Sequence, residues 1–94
     1  MEGDYAIASF RSRQQVMNFE SQLRSAGVHG EVVSTPREIA VGCGLSVKFA
    51  YTDFPRVREM CRKSPPANMI GIYRADNRPG SRARFMPIMG SRCW

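Results

Sequence analysis

The sequence predicts an α+β domain of the ferredoxin-like kind, β-α-β-β-α-β, a two-layer sandwich followed by a basic C-terminal arm. Three observations carry that expectation. Short β-prone runs alternate with two stretches whose apolar residues recur at helical spacing. Each helical stretch is flanked by strands, and right-handed crossovers then place both helices on one face of an antiparallel sheet. A chain of 94 residues and 10.6 kDa supplies one core and not two.

The elements follow in order. Asp4 to Phe10 is a β-prone run without Gly or Pro. Ser12 is placed to cap a helix in which Val16, Phe19, Leu23 and Ala26 share one face, and Gly27 ends it. Residues 29–34 form a second strand. Thr35-Pro36-Arg37-Glu38 has the pattern of a capping box with proline at the first helical position, so a brief helical turn is expected over roughly Pro36 to Val41, ended by Gly42. Leu45 to Tyr51 is the third strand, with Leu45, Val47, Phe49 and Tyr51 on one face. Thr52-Asp53 opens the second helix, Val57, Met60 and Cys61 fall on one side of it, and Ser64-Pro65-Pro66 stops it. Residues 68–73 form the fourth strand. Residues 1–73 thus make the domain. Residues 74–94 read as a mobile arm, or as an edge strand through Phe85, Met86, Ile88 and Met89. Met17, Met60 and Met69 read as core filler and His29 as polar surface.

The formal net charge is +6, and apolar residues make up 43% of the chain, too many for wholesale disorder. Residues 74–94 contain Arg74, Arg78, Arg82, Arg84 and Arg92 against the single Asp76, so most of the surplus lies there. No apolar run approaches the length of a membrane helix. Met1-Glu2-Gly3-Asp4 is acidic and lacks the basic-then-apolar order of a secretory signal, which points to the cytoplasm, a reducing compartment. Cys43, Cys61 and Cys93 are odd in number and match no zinc spacing, so neither a disulfide framework nor a metal or organic cofactor is expected.

Two features carry candidate chemistry. The first is the segment Thr35 to Leu45, in which Cys43 stands between Gly42 and Gly44. Glycine flanks leave a sulfur open to close approach, although they also suit a tight turn. The C-terminal end of a helical turn raises a thiol pKa, so activation of Cys43 calls for a nearby cation, with Arg37 the nearest candidate in sequence. The second is the terminus, Gly90-Ser91-Arg92-Cys93-Trp94. A thiol there suits transfer chemistry, and Arg92 with Trp94 suits docking on a partner. Fully extended, the arm from Arg74 to Cys93 spans up to roughly 60–70 Å, enough for Cys93 to visit Cys43 or a partner's site. Cys61, on an apolar helix face, reads as core.

The run Thr35-Pro-Arg-Glu-Ile, then Gly42-Cys43-Gly44-Leu45-Ser-Val-Lys-Phe49, resembles the small bacterial selenium/sulfur carrier-like family. Its recurring pattern is a strand, Thr-Pro-Arg-Glu, a few small residues, Cys-Gly and an apolar strand, and the likeness runs from residue 4 to about 73. Members often carry serines before the cysteine, where this chain has Ala40-Val41-Gly42, and the basic arm lies beyond the shared domain. The resemblance implies a carrier that handles selenium or sulfur through Cys43, with Thr35, Pro36, Arg37 and Gly44 as motif positions.

Three function classes follow. In the first, Cys43, Cys93 or both accept a persulfide or selenosulfide from a desulfurase-like donor and pass it to an acceptor protein, with Thr35, Arg37, Gly42 and Gly44 shaping the site and no cofactor required. In the second, a basic module binds RNA through Lys48, Phe49 and Tyr51 with Tyr5 and Phe10, although Lys48-Phe49-Ala50-Tyr51 lacks the glycine of the usual motif. In the third, an adaptor docks through Arg92 and Trp94 without transfer. A catalytic enzyme fits worst, because the sequence offers no nucleophile triad, phosphate loop or paired carboxylates.

Overall fold

Tyr5–Phe10 forms the first strand, β1, which becomes the central strand of the sheet. The computed structural model describes residues 4–37, 39, 44–64, 66, 69–76 and 84–90, with the backbone alone at 76, 84, 89 and 90. Helix α1 (Arg13–Ser25) begins where Ser12 Oγ accepts the backbone N–H of Gln15. It ends in a Schellman arrangement. Gly27, at φ +79°, lets its own N–H reach the carbonyl of Arg24 and the N–H of Val28 reach that of Leu23. Strands β2 (Gly30–Ser34) and β3 (Leu45–Ala50) pair as a hairpin. A short 3₁₀ turn, Tyr51–Asp53, leads into α2 (Phe54–Lys63), with a proline in its first turn and Ser64 at its C-cap. Strands β4 (Met69–Asp76) and β5 (Arg84–Gly90) complete a five-stranded sheet of order β2-β3-β1-β4-β5, antiparallel at every pairing.

The first four strands and two helices have the expected β-α-β-β-α-β order. The core lies on one face of the sheet. Ala6, Ala8 and Phe10 of β1, Val47 and Phe49 of β3, and Met69 and Ile72 of β4 join Val16, Phe19 and Leu23 of α1 and Val57 and Cys61 of α2 in one buried cluster. Phe10 and Phe19 meet at 5.0 Å between ring centroids. Cys61 is packing, as its helical position implies.

Four expectations change. Met17 is half exposed, because one residue along a helix turns the side chain about 100° from the core-facing Val16. Tyr51 leaves the strand face it was expected to share. The 3₁₀ turn carries its ring onto that of Phe54, stacked at 5.7 Å between centroids, with the Arg74 guanidinium carbon 4.1 Å from the Tyr51 ring centroid, and its N–H donates to the carbonyl of Asp4. The fourth strand runs on through Arg74, which pairs with the Asp4 carboxylate, so the first arginine of the presumed arm belongs to the fold. Finally, Arg84–Gly90 pairs with β4 and Ile88 packs against the core, the edge-strand reading of that segment. The reach of Cys93 is therefore counted from Gly90 and not from Arg74.

Gly30 shows how closely α1 sits on the sheet. A Cβ there would stand 2.8 Å from Leu23 Cδ1 and 3.2 Å from Val47 Cγ1, both on fully buried side chains. Gly30→Ala is expected to destabilise the domain by about 1–3 kcal/mol through overpacking, read by urea unfolding, with the far-UV spectrum of the folded state retained.

Candidate functional site

Alternation along β1 and β3 decides what faces away from the helices. If Ala8 and Val47 face the core, then Ser9 and Ser46 face the other side, and the register sets these two opposite one another. Both are completely buried. Ser9 Oγ and Ser46 Oγ lie 3.0 Å apart, and Ser46 Oγ lies 2.7 Å from Thr35 Oγ1. Three hydroxyls therefore form a continuous row across β1, β3 and the end of β2. Ile7 is also buried without belonging to the helix-side cluster.

Thr35 ends this row and opens the candidate motif. Its N–H donates to the carbonyl of Gly44 at 2.8 Å, extending the β2–β3 ladder one step beyond the Ser34–Leu45 pair. The hairpin is thus closed at Thr35 and Gly44, and residues 36–43 form the connection. Within it Ile39 donates its N–H to the carbonyl of Pro36, a single turn, and Ile39 is buried. The Thr35 hydroxyl also engages Ser46 across the sheet, and the Glu38 end of the expected capping box lies outside the described residues. Gly44 adopts φ +89°, and a Cβ there would meet nothing within 4 Å, so the backbone conformation, and not space, calls for glycine.

The sequence candidates fall as follows. Thr35 is half-buried, and Arg37 and Gly44 are exposed. Cys43, Gly42, Cys93, Arg92 and Trp94 lie outside the described residues. The ion pairs of Arg24 with Glu20, Arg62 with Glu59 and Arg74 with Asp4 all lie away from the hydroxyl row. Glu20, bonded to Arg24, raises the pKa of that guanidinium. Among the described residues no group of three or more His, Cys, Asp or Glu could hold a metal ion.

The RNA-directed set is divided by the fold. Phe10 and Phe49 are completely buried in the helix-side core, and Tyr51 belongs to the 3₁₀ turn. Tyr5 remains on the other face, with Lys48 Nζ 4.4 Å from its ring centroid and Phe85 edge-on at 6.5 Å.

Residues 4–74 match the model of the family described as "Putative Se/S carrier protein-like". The chain belongs to this Se/S carrier-like family. Searches of curated proteins and of solved structures give no significant match. The family region contains the hydroxyl row, the closed hairpin and Cys43, whereas β5, Cys93 and Trp94 lie beyond it.

Ser9 and Ser46 were not singled out from sequence. The signal that finds them is alternation: Leu45, Val47 and Phe49 toward the helices leave Ser46 on the opposite face, beside Thr35 once the hairpin is closed. For Gly44, Gly44→Ala is expected to cost about 1–2 kcal/mol in thermal or urea unfolding, and Gly44→Asn to recover part of that loss, because asparagine tolerates positive φ.

Proposed function

We propose that this Se/S carrier-like protein carries a sulfane sulfur or selenium atom on Cys43, accepting it from a desulfurase-like donor protein and passing it to an acceptor protein in the reducing cytoplasm. The observation that carries the reading is the match of a Se/S carrier-like family model to residues 4–74, with Cys43 inside it on the connection that Thr35 and Gly44 close. In the step proposed, the Cys43 thiolate attacks the outer sulfur of a donor persulfide, R–S–SH. The new sulfur–sulfur bond gives a persulfide on Cys43, and the donor sulfur leaves as its thiolate. No electrons are gained or lost overall, and an acceptor thiolate repeats the displacement in the opposite sense. A selenium atom on R–S–SeH transfers by the same balance. Thr35, Arg37, Gly42 and Gly44 are the positions proposed to shape the site. Cys93, with Arg92 and Trp94, is proposed as a second relay thiol near a docking anchor.

No helix among the described residues is long and apolar enough to cross a membrane. Cys61 is excluded as a carrier by its burial, since an attacking thiolate needs access to the donor sulfur.

The test is intact-mass analysis after incubation with a persulfide or selenopersulfide donor. The expected result is a gain of one sulfur or one selenium atom, reversed by a reducing thiol, lost in Cys43→Ser and kept in Cys61→Ala. Loss in Cys93→Ser alone would move the carrier site to the terminus. No adduct on thiols that still react with iodoacetamide would end the carrier reading.

A further inference from the structure

Helix α1 keeps its charges on one side. Arg13, Glu20 and Arg24 fall on a single flank by helical spacing, and Glu20 is bonded to Arg24 there. The flank turned toward α2 carries Asn18, Ser21, Gln22, Ser25 and Ala26, none of them charged. The two helices run in opposite directions, because α1 follows β1, α2 follows β3 and those strands are antiparallel. They do not close on each other. Between them lies an open groove of about 550 Å³, lined by those five residues and by Met60 of α2. Asn18 Oδ1 accepts the amide of Gln14 at 3.1 Å, which leaves the Asn18 amide protons to donate elsewhere.

The opposite wall is cationic. Arg56 and Lys63 stand four residues before and three residues after Met60, on its side of α2, and both are exposed. Arg56 is placed by contact. A Cβ on Gly27 would lie 3.6 Å from its Nη1, so the guanidinium sits at the C-terminal end of α1, beside Ala26. Lys63, two turns further along α2, falls toward the Asn18 end. The two cations are thus roughly 10 Å apart along the helix axis, the length of about three residues of extended chain. Neither forms an ion pair among the described residues. The nearest carboxylate on that wall, Glu59, is held at 3.5 Å by Arg62, which spacing puts on the far flank of α2.

We infer that this groove docks an acidic, extended segment of a partner protein. Its two cations call for an anionic occupant. The hydroxyl and amide groups along α1 offer both donors and acceptors, the complement of a peptide backbone. Met60, partly buried against the core, offers a soft apolar seat for one side chain. Single-stranded nucleic acid fits worse, because among the described residues no aromatic ring lines the groove on which a base could stack. The inference is independent of the chemistry at Cys43.

The test is fluorescence polarisation of a fluorescein-labelled oligoglutamate peptide with one central leucine, titrated with the full chain at low salt. Saturable binding that weakens as salt rises is expected. Arg56→Glu combined with Lys63→Glu is expected to weaken it by about tenfold or more. Ser25→Trp leaves the charge unchanged and fills the groove, and is expected to weaken binding severalfold. Arg13→Glu combined with Lys48→Glu changes the net charge equally, on the other flank of α1 and on the sheet face away from the helices, and is expected to leave affinity within about twofold. The far-UV spectrum of each variant establishes that it is folded. Absence of binding by the unaltered chain overturns the inference. So does equal loss in the two charge-reversal pairs, which reduces the effect to net charge. Undiminished binding by folded Ser25→Trp puts the peptide outside the groove and also overturns it. An oligothymidylate of the same charge that binds as tightly, and loses affinity with Arg56 and Lys63 reversed, overturns it in favour of nucleic acid.

Discussion

Strand β3 tolerates one register, and the molecule is organised around it. It is paired on both sides, with β2 and with β1. Its alternate residues divide cleanly, with Val47 and Phe49 under the helices and Ser46 and Lys48 on the other face. A slip of one residue would send Ser46 and Lys48 into the apolar core and expose Val47 and Phe49. The same register that assembles the core therefore sets Ser46 against Ser9 and brings Thr35 onto Ser46. The hydroxyl row needs no energetic provision of its own. It is the reverse side of the packing.

Much of the fold was legible because its signals are local. Ser12, Val16, Phe19, Leu23 and Gly27 define α1 by cap, stripe and stop, and each does what its position implies. Alternation in residues 45–50 reads equally well. The departures occur where a local signal competes with a distant partner. Tyr51 continues the strand pattern by parity, but Phe54 and Arg74 claim its ring. Thr35 reads as a helix cap, yet its hydroxyl also meets that of Ser46, eleven residues on, across the sheet. Arg74 reads as the start of a basic arm, but Asp4, seventy residues earlier, holds it. No window of neighbouring residues contains those partners.

The candidate site was legible in its motif and not in its surroundings. Gly42-Cys43-Gly44 and Thr35-Pro36-Arg37-Glu38 mark the connection by composition alone. The serines behind Thr35 carry no such mark. Ser9 stands in a β-prone run and Ser46 in an apolar one, where a small polar residue is easily passed over. Their meaning depends on complete burial and on each having a hydroxyl opposite it, both of which are properties of the paired strands.

Complete burial of two serine hydroxyls on the sheet face away from the helix-side core also bears on why serine stands there. Alanine at 9 and 46 would fill the same space with no polar group to satisfy, and replacing both partners of a buried hydrogen bond by apolar groups is often nearly neutral for stability. Stability alone therefore gives weak reason for Ser9 and Ser46. What places them is the register, which sets Ser46 opposite Ser9 and behind Thr35 at the rung where the hairpin closes.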